Sequence, residues 1–515
     1  MIPQLDVWAV APMMPVALGV LLVPLLDVLL IRRGSLLGQP LSAARRSTYL
    51  AAVSVIFLAT ALLVTLNAFS QPVRTFNPEN PMVRMDGTAL FLCAIVLIGA
   101  ILTVLGSTKY LEHVRSNWGE FYALVLSSVT GMMFLAAASD LLMLFLALEL
   151  MSIPVYALAG FRRASLRSNE SAVKYFLIGS FASGLLLYGS ALLYGATGTL
   201  ALSEIATSFD PESALDLVGA GLVLVGLAFK ISSVPFHQWA PDVYEGAPTP
   251  VSGFMATTVK VAAFGVLVRV VSIGLQPASD IVSPVLWLMA VLTMTVGNVM
   301  ALVQRNTKRM LAYSSIAHAG YVLIGVLVGG EAGTRAVLFY LLSYTFMTIG
   351  AFTVVAVLAR DGREYDSIDD LSGLGQTRPY LALVMSICMF SLLGMPATAG
   401  FVGKFLLFSA AVQQGLALGN GSLVWLVVIA VLNSAVSLAY YLRIPALMFF
   451  YPPRDDVQPS APGSFEWIVL FTCAAAILLL GVLPQDALPL IASLLHMPDV
   501  NVLQLAGDAA ASLAP

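Results

Sequence analysis

Apolar stretches about as long as a bilayer is thick alternate with short polar segments along almost the whole chain. A membrane-spanning α-helix needs about 20 mostly apolar residues. Fourteen stretches meet this requirement: Trp8–Ile31, Tyr49–Phe69, Ala89–Gly106, Phe121–Ala138, Leu141–Gly160, Ala172–Tyr194, Leu217–Tyr244, Val251–Ile273, Val282–Val303, Met310–Val328, Ala336–Leu358, Tyr380–Val412, Leu423–Phe450 and Trp467–Leu483. The pattern therefore predicts an all-α polytopic membrane protein with about 14 transmembrane helices.

The seventh and twelfth of these segments are interrupted by proline. Pro235 follows Lys230 by five residues, and Pro396 lies between Gly394 and Gly400. A proline inside a helix removes one N–H donor and clashes with the carbonyl four residues earlier, so both helices are predicted to break. In lipid, a broken helix is stable only where protein or a water-filled cavity covers the freed backbone groups. The two breaks therefore predict buried, partly aqueous sites.

The positions of the breaks indicate an internal repeat. The two prolines are 161 residues apart, and paired interrupted segments are typical of transporters built from structural repeats. Helices four to eight and nine to thirteen form the predicted repeats. Because five is odd, the second copy is predicted to be inverted. Aligning Gly131 with Gly297 places Glu149 opposite Ser315. The predicted units are an N-terminal three-helix segment 1–107, repeats 108–273 and 274–450, and a last helix with C-terminal tail 451–515.

Composition supports a membrane protein and excludes other classes. The 515 residues are 59% hydrophobic and only 10% charged, with a mean hydropathy of +0.91, whereas soluble domains are about 25% charged. No basic run indicates nucleic-acid binding. The three cysteines lack metal-ligand or disulfide spacing and are expected to pack between helices. The N-terminus has no positively charged segment, so no cleaved signal peptide is expected.

The distribution of Lys and Arg predicts the orientation. Sixteen of these residues fall in the odd-numbered loops, whereas the even-numbered loops and both termini carry only Arg74, Arg84 and Arg335. Loops rich in Lys and Arg stay in the cytoplasm. Both termini are therefore predicted to lie on the non-cytoplasmic side.

Four of the six lysines lie inside predicted helices, namely Lys174, Lys230, Lys260 and Lys404. A charged side chain at a helix centre costs roughly 2.5–3.5 kcal/mol on insertion scales. These lysines are therefore expected to face the bundle interior, where they are paired or in contact with water. A buried lysine can take up and release a proton in response to its neighbours. The lysines are accordingly the main candidates for chemistry.

Glu149 is the clearest carboxylate deep in a predicted helix. Its own helix contains no Lys or Arg, so its partner is expected from another helix, with Lys174 and Lys230 as candidates. A static buried ion pair that fixes helix packing is the alternative interpretation. One acid cannot neutralise four lysines, however, and fixed unpaired charges are costly. Groups that change their protonation state fit the pattern better.

Two histidines accompany these residues. His318 lies one turn from the position aligned with Glu149, and an imidazole can carry protons near neutral pH. It is predicted to link Lys260 with Lys404; a hydrogen-bonded packing role is the alternative. His237 belongs to the joint after Lys230 and fits either an access path or a helix cap.

Four sequence runs resemble one known family. The runs are FKISSVPFHQWAPDVYEGAPTPVSGFMATTVKVAAFGV, LALELMSIPVYALAGF, KRMLAYSSIAHAGYVLIGV and GMPATAGFVGKF. They are similar to the antiporter-like subunits of proton-pumping NADH:quinone oxidoreductase, respiratory complex I. The DVYEGAP ending is closer to subunit N than to subunits L or M, and Lys404 stands where subunit M has a glutamate.

The resemblance implies a role for each matched residue. The residues it assigns to proton transfer are Glu149, Lys174, Lys230, Lys260 and Lys404, with His318 added as a shuttle. Protons would reach Lys230 and Lys174 from the cytoplasm, cross through Lys260 and leave from Lys404. No cofactor is expected in this chain; NADH, FMN, iron–sulfur clusters and quinone are expected on partner subunits. Expected neighbours are another antiporter-like subunit and small helical subunits, in an energy-coupling membrane such as the bacterial plasma membrane.

Three alternatives remain open from the sequence. The chain fits a subunit of a multi-subunit cation/proton antiporter, which would share the lysines and the breaks. It also fits the equivalent subunit of a ferredoxin-driven complex, because the electron donor binds elsewhere. The third alternative is a structural scaffold without transport, which leaves the buried lysines unexplained.

Overall fold

The computed structural model describes residues 5–36, 43–77, 79–114, 116, 118–454 and 460–484. The predicted C-terminal tail, 485–515, lies outside these residues. The helices are α1 (Met14–Leu36), α2 (Ala43–Ala68), α3 (Gly87–His113), α4 (Gly119–Ala137), α5 (Leu141–Ala159), α6 (Leu166–Thr197), α7 (Leu202–Ser208), α8 (Ala214–Lys230), α9 (Trp239–Gly246), α10 (Thr249–Phe254), α11 (Lys260–Arg269), α12 (Ser279–Leu302), α13 (Thr307–Val328), α14 (Gly330–Val357), α15 (Leu374–Thr377), α16 (Pro379–Leu393), α17 (Ala399–Ala417), α18 (Gly421–Phe450) and α19 (Ser464–Val482).

Short elements complete the fold. Two strands, β1 (Arg74–Thr75) and β2 (Arg84–Met85), pair antiparallel between α2 and α3. A π-helical segment, Met255–Val259, joins α10 to α11 into one continuous span. Such segments are rare and occur often at functional sites. Here the segment ends directly before Lys260.

The predicted all-α membrane fold is confirmed. Within the described residues, twelve helices are long and apolar enough to cross a membrane. They match twelve of the fourteen predicted segments, and the remaining two are the segments predicted to be broken. The spans containing α3, α10–α11, α13 and α14 are almost completely buried. These four spans form the centre of the bundle, and they carry Lys260 and His318.

The seventh segment breaks at the predicted place. Helix α8 ends at Lys230, and the chain passes through Pro235 before α9 begins at Trp239. Side chains form hydrogen bonds with backbone groups that lose their helical partners at the break. The backbone N–H of Val234 donates to Thr293 Oγ1 at 3.0 Å, and the Trp239 indole donates to the Phe229 carbonyl at 3.1 Å. Protein contacts at the joint thus replace helical hydrogen bonds, as lipid requires.

The twelfth segment also breaks as predicted. Helix α16 ends at Leu393, and Gly394 follows with a φ of +92°, a conformation that favours glycine. Beyond Pro396, the N–H of Gly400 donates to Ser391 Oγ at 3.0 Å, which fixes the start of α17 to the end of α16.

Two glycine contacts support the predicted repeat. A Cβ added at Gly131 on α4 would collide with the backbone nitrogen of Met151 on α5. A Cβ added at Gly297 on α12 would collide with the backbone nitrogen of Ala317 on α13. Both members of the second pair lie 166 residues after those of the first. The contact between α4 and α5 and the contact between α12 and α13 therefore occur at equivalent positions along their helices.

Two isolated β-bridges show the same spacing. Asp140 pairs with Ala201, and Asn306 pairs with Ser367, again 166 residues later at both positions. Asp140 and Asn306 also cap α5 and α13 through their side chains. The equal spacing fits the predicted internal repeat. The repeat itself, the inversion of its second copy and the unit boundaries stay predictions.

Candidate functional site

Lys230 is buried at the end of α8, with 1% of its surface exposed. Its Nζ donates to Ser152 Oγ at 2.7 Å and to the Tyr156 hydroxyl at 3.0 Å. The rings of Tyr156, Tyr175 and Phe229 lie 5.1–5.8 Å from the ammonium, within range of cation–π attraction. No carboxylate of the described residues forms an ion pair with it. The Lys230 ammonium is therefore stabilised by hydroxyls and aromatic rings, all of which are uncharged.

Lys260 has the same kind of environment at the start of α11. It is 3% exposed, and its Nζ donates to the carbonyl oxygen of Ser315 at 2.8 Å and to Ser315 Oγ at 2.6 Å. Ser315 is the position that the sequence aligns with Glu149. Within the described part of the chain, Lys260 likewise forms no ion pair with a carboxylate.

Lys404 lies on α17 beside the second break and is 6% exposed. Its Nζ donates to the Leu393 carbonyl at 2.8 Å and to Ser434 Oγ at 3.3 Å. The Tyr321 ring lies 4.8 Å from the same Nζ. The Lys404 ammonium thus contacts a carbonyl at the end of α16, a hydroxyl and an aromatic ring. As for the other two lysines, no carboxylate of the described residues pairs with it.

His318 lies on α13 between Ser315, which contacts Lys260, and Tyr321, whose ring lies against Lys404. Its Nδ1 is hydrogen-bonded to the Tyr340 hydroxyl at 2.5 Å and its Nε2 to the Tyr441 hydroxyl at 2.8 Å. Its ring centre is 5.8 Å from that of Tyr321. Ser315, His318 and Tyr321 recur at every third residue of α13, so they share one face of that helix. That face connects the Ser315 partner of Lys260 with the Tyr321 partner of Lys404. The geometry fits both interpretations of His318, and its role stays a prediction.

The structure places Lys174 differently from the sequence-based expectation. Its side chain is 41% exposed and forms ion pairs with Glu170 at 2.7 Å and with Asp242 at 3.0 Å. Arg309 also pairs with Asp242, at 2.6 Å. The interior position predicted for Lys174 is therefore wrong. The lysine lies near the start of α6, where its long side chain reaches a polar cleft at the protein surface.

Glu149 does not pair with either predicted partner. It is half-buried on α5, and its Oε1 has no hydrogen-bond partner among the described residues. Leu146, Leu150 and Ile153 on the same side of α5 are 41–58% exposed, so Glu149 lies at the edge of an outward face. Ser152, a ligand of Lys230, is one helical turn further on. The carboxylate is thus adjacent to the Lys230 site without an ion pair in this chain.

The sequence-based reasoning missed a buried ion pair between Lys308 and Glu364. The Lys308 side chain is fully buried; its Nζ donates to the Ala247 carbonyl at 2.9 Å and lies 3.5 Å from Glu364 Oε2. Glu364 also pairs with Arg162 at 2.5 Å and accepts a hydrogen bond from the Tyr110 hydroxyl at 2.6 Å. Lys308 falls between the predicted segments that end at Val303 and begin at Met310, so the hydrophobic pattern assigns it to a loop. Its burial depends on packing that no local pattern reveals.

The Glu364 carboxylate is expected to make stability depend on pH. Burial acts to raise its pKa, but Lys308, Arg162 and hydrogen bonds from Tyr110 and Thr249 together hold the pKa below its ordinary value. A carboxyl with a lowered folded-state pKa stabilises the fold above its unfolded pKa of about 4.3, and this contribution is lost as the pH falls towards the folded-state value.

We therefore expect Glu364→Gln to lower the melting temperature at neutral pH, where breaking a buried pair costs on the order of 3 kcal/mol. The difference from the native protein should shrink as the pH falls below about 4.3 towards the lower folded-state pKa, where the native carboxylate takes up its proton. Glu112→Gln, at an exposed pair with Lys109, serves as the control. A difference that stays constant with pH would contradict the assignment of an ionised Glu364.

The part of the chain that the structure describes contains no group of three His, Cys, Asp or Glu residues arranged to hold a metal ion. Cys93, Cys388 and Cys473 are buried and free, which fits the expected packing role. The groups described above include lysines, hydroxyls and one histidine, which can donate and accept protons.

Comparison with known proteins identifies the family. Residues 138–436 match the model described as NADH:quinone oxidoreductase/Mrp antiporter, transmembrane. NADH-quinone oxidoreductase subunit N of Trichlorobacter lovleyi is 46% identical over 441 residues, which cover 85% of this chain and 88% of the relative. This chain belongs to the NADH:quinone oxidoreductase/Mrp antiporter family, and the resemblance to its subunit N is confirmed.

Solved structures share the fold. A chain of respiratory complex I from Thermus thermophilus with bound aureothin superposes with a TM-score of 0.77 at 37% identity, covering 94% of this chain and 99% of that one. A chain of the Mrp complex from Dietzia sp. DQ12-45-1b reaches a TM-score of 0.79 at 22% identity, covering 99% and 100%. At 22% identity the second comparison establishes the fold alone.

Proposed function

We propose that this chain is a proton-translocating membrane-arm subunit of an NADH:quinone oxidoreductase, corresponding to subunit N. The observation that carries the proposal is the uncharged environment of Lys230, Lys260 and Lys404. A buried ammonium held by neutral groups loses no ion pair when it gives up its proton, so it can discharge and recharge during a cycle. Lys308 provides the contrast, because its carboxylate partner favours a fixed charge.

In this proposal the proton is taken up near Lys174, which lines a polar surface cleft. The distribution of Lys and Arg assigns this end of the protein to the cytoplasm. It passes Lys230, crosses the bundle through Lys260 and His318, and leaves from Lys404 on the opposite side. Both termini lie on the non-cytoplasmic side of a bacterial plasma membrane, because the loops rich in Lys and Arg stay inside.

Glu149 controls direction in this account. Its outward position on α5 allows a neighbouring subunit to approach the carboxylate, while Ser152 connects the same helix face to Lys230. A change in the charge near Glu149 would alter the proton affinity of Lys230. The driving reaction occurs on partner subunits, which hold NADH, FMN, iron–sulfur clusters and quinone. The neighbours are another antiporter-like subunit and small helical subunits.

Membership of a cation/proton antiporter is the second candidate, supported by the shared fold of the Mrp chain. The higher identity to the N subunit favours the first. We expect a tagged chain, purified from gently solubilised native membranes, to bring down flavin and iron–sulfur subunits that oxidise NADH. Recovery of small antiporter subunits without redox partners would assign the chain to cation/proton exchange. Redox subunits that oxidise ferredoxin instead of NADH would assign it to a ferredoxin-driven complex.

A further inference from the structure

Tyr244 has a buried hydroxyl that none of the interactions described above uses. The side chain is fully buried on α9, yet its hydroxyl has no hydrogen-bond partner among the described residues. An unpaired buried polar group costs about 1–3 kcal/mol, so such groups need an explanation. A hydroxyl in this position is a site for a bound water or for a group that exchanges protons.

The position of this hydroxyl is fixed. The Tyr244 carbonyl accepts a hydrogen bond from Ser252 Oγ at 2.7 Å, which anchors the backbone at the end of α9. The ring lies against Trp239, with 6.1 Å between ring centres and an angle of 69° between the planes. Because ring and backbone are both held, the hydroxyl has little freedom to find another partner.

The Tyr244 hydroxyl lies near the side chains of Ser315 and Tyr344 without a direct hydrogen bond to either. Ser315 Oγ accepts the hydrogen bond from Lys260 Nζ at 2.6 Å. Thr348, 2% exposed, adds a second hydroxyl without a hydrogen-bond partner among the described residues. Tyr344 interacts with both Ser315 and Thr348. The hydroxyls of Tyr244, Tyr344 and Thr348 thus lead to Ser315, the residue that accepts the hydrogen bonds of the Lys260 ammonium.

Along the chain, Tyr244 lies between the two lysines. It belongs to α9, which begins directly after the joint at Lys230, and α10 leads from it towards Lys260. Tyr244 packs on Trp239, which stacks on Tyr175 at 4.4 Å, and Tyr175 is one of the rings around Lys230. Tyr244 thus lies on the Lys260 side of the aromatic group that encloses Lys230.

We propose that the Tyr244 hydroxyl relays protons between Lys230 and Lys260. A proton arriving from the Lys230 side forms a new O–H bond at the phenol oxygen while the existing O–H bond breaks towards Ser315. The phenol stays neutral, and the arriving proton is balanced by the one released. Bound water between Tyr244, Thr348 and Ser315 completes the hydrogen bonds that such an exchange needs. This inference rests on the proposed function and assigns one further residue to it.

Tyr244→Phe tests the relay because it removes only the oxygen. Since this oxygen has no direct partner, its loss should leave stability unchanged or slightly raised. NADH-driven proton translocation by the whole complex should nevertheless fall by at least about tenfold, because a positioned proton-transfer group typically contributes about 100-fold or more. The solvent isotope effect in D2O should rise, because proton transfer becomes rate-limiting. A purely structural role would change neither the rate nor the isotope effect at constant stability.

Tyr122→Phe is the matched control. Tyr122 is also fully buried, but its hydroxyl is hydrogen-bonded to Ser47 Oγ at 2.9 Å, away from the lysines. Its loss should lower stability and leave proton translocation unchanged. The relay is overturned if Tyr244→Phe translocates protons at the native rate, or if Tyr122→Phe lowers the rate equally. Lys230→Met measured in parallel separates the two claims: if it too is fully active, the proposed function itself fails.

Discussion

Lys230→Met is expected to abolish NADH-driven proton translocation in the assembled complex. Methionine has nearly the length of lysine and keeps the apolar contacts with the aromatic rings, but it cannot carry a proton. Because no carboxylate among the described residues pairs with Lys230, its removal leaves no unpaired buried acid there. We therefore expect the variant to assemble and to lose translocation by at least about tenfold, as loss of a proton-transfer group predicts.

The measurement is the quenching of a pH-sensitive dye in inverted membrane vesicles energised with NADH. Lys109→Met is the control, since Lys109 is a partly exposed lysine paired with Glu112. Native-like quenching by Lys230→Met would show that this lysine is not on the proton path.

Gly400→Ala is expected to prevent accumulation of the folded chain. An added Cβ would fall on the carbonyl oxygen of Ser391, which belongs to the backbone of α16 and cannot rotate away. The close approach exists because the Gly400 N–H donates to Ser391 Oγ across the break. Forcing the two segments apart would displace the start of α17, which carries Lys404. We expect a loss of on the order of 3 kcal/mol, which is a large fraction of typical folding stability.

Gly221→Ala on α8 is the matched control, because a Cβ there meets nothing within 4 Å. Alanine in an exposed helix position stabilises by up to about 1 kcal/mol relative to glycine. The amount of assembled complex in membranes and its thermal midpoint distinguish the two variants. Equal accumulation of both would contradict the tight contact at the second break.

Local physics explains what the sequence could predict. Span length depends on bilayer thickness, and helix breaks depend on proline and glycine, so both can be identified without knowing the fold. For the same reason Lys230 and Pro235, and then Lys404 and Pro396, were correctly associated with the two joints.

Tertiary packing explains what the sequence could not predict. Lys174 and Lys308 each lie near the start of a helix, yet the first is 41% exposed and the second fully buried. No periodicity distinguishes them, because the difference is set by neighbouring helices and by the loop that brings Glu364 over Lys308. The sequence did contain a local pattern from which the hydrogen-bond acceptors of Lys230 could have been identified. Ser152 and Tyr156 follow Glu149 by three and seven residues, so they share its helix face.

The three lysines on the proposed path differ from Lys308 in one physical respect. Lys308 has a carboxylate within 3.5 Å, whereas Lys230, Lys260 and Lys404 are held by hydroxyls, carbonyls and aromatic rings. A carboxylate partner makes loss of the proton costly, because it would leave an unpaired buried charge. Neutral ligands impose no such cost. The same bundle thus contains one lysine suited to fixing the structure and three suited to exchanging protons.

The central claim is tested most directly by the number of protons moved per NADH oxidised in sealed proteoliposomes containing the purified complex. Native complex, Lys230→Met and Lys109→Met are compared at equal amounts of assembled protein. The proposed path predicts a native ratio for Lys109→Met and a strongly reduced ratio, or no coupled turnover, for Lys230→Met. A native ratio and rate for Lys230→Met would contradict the claim that protons cross this chain through its buried lysines.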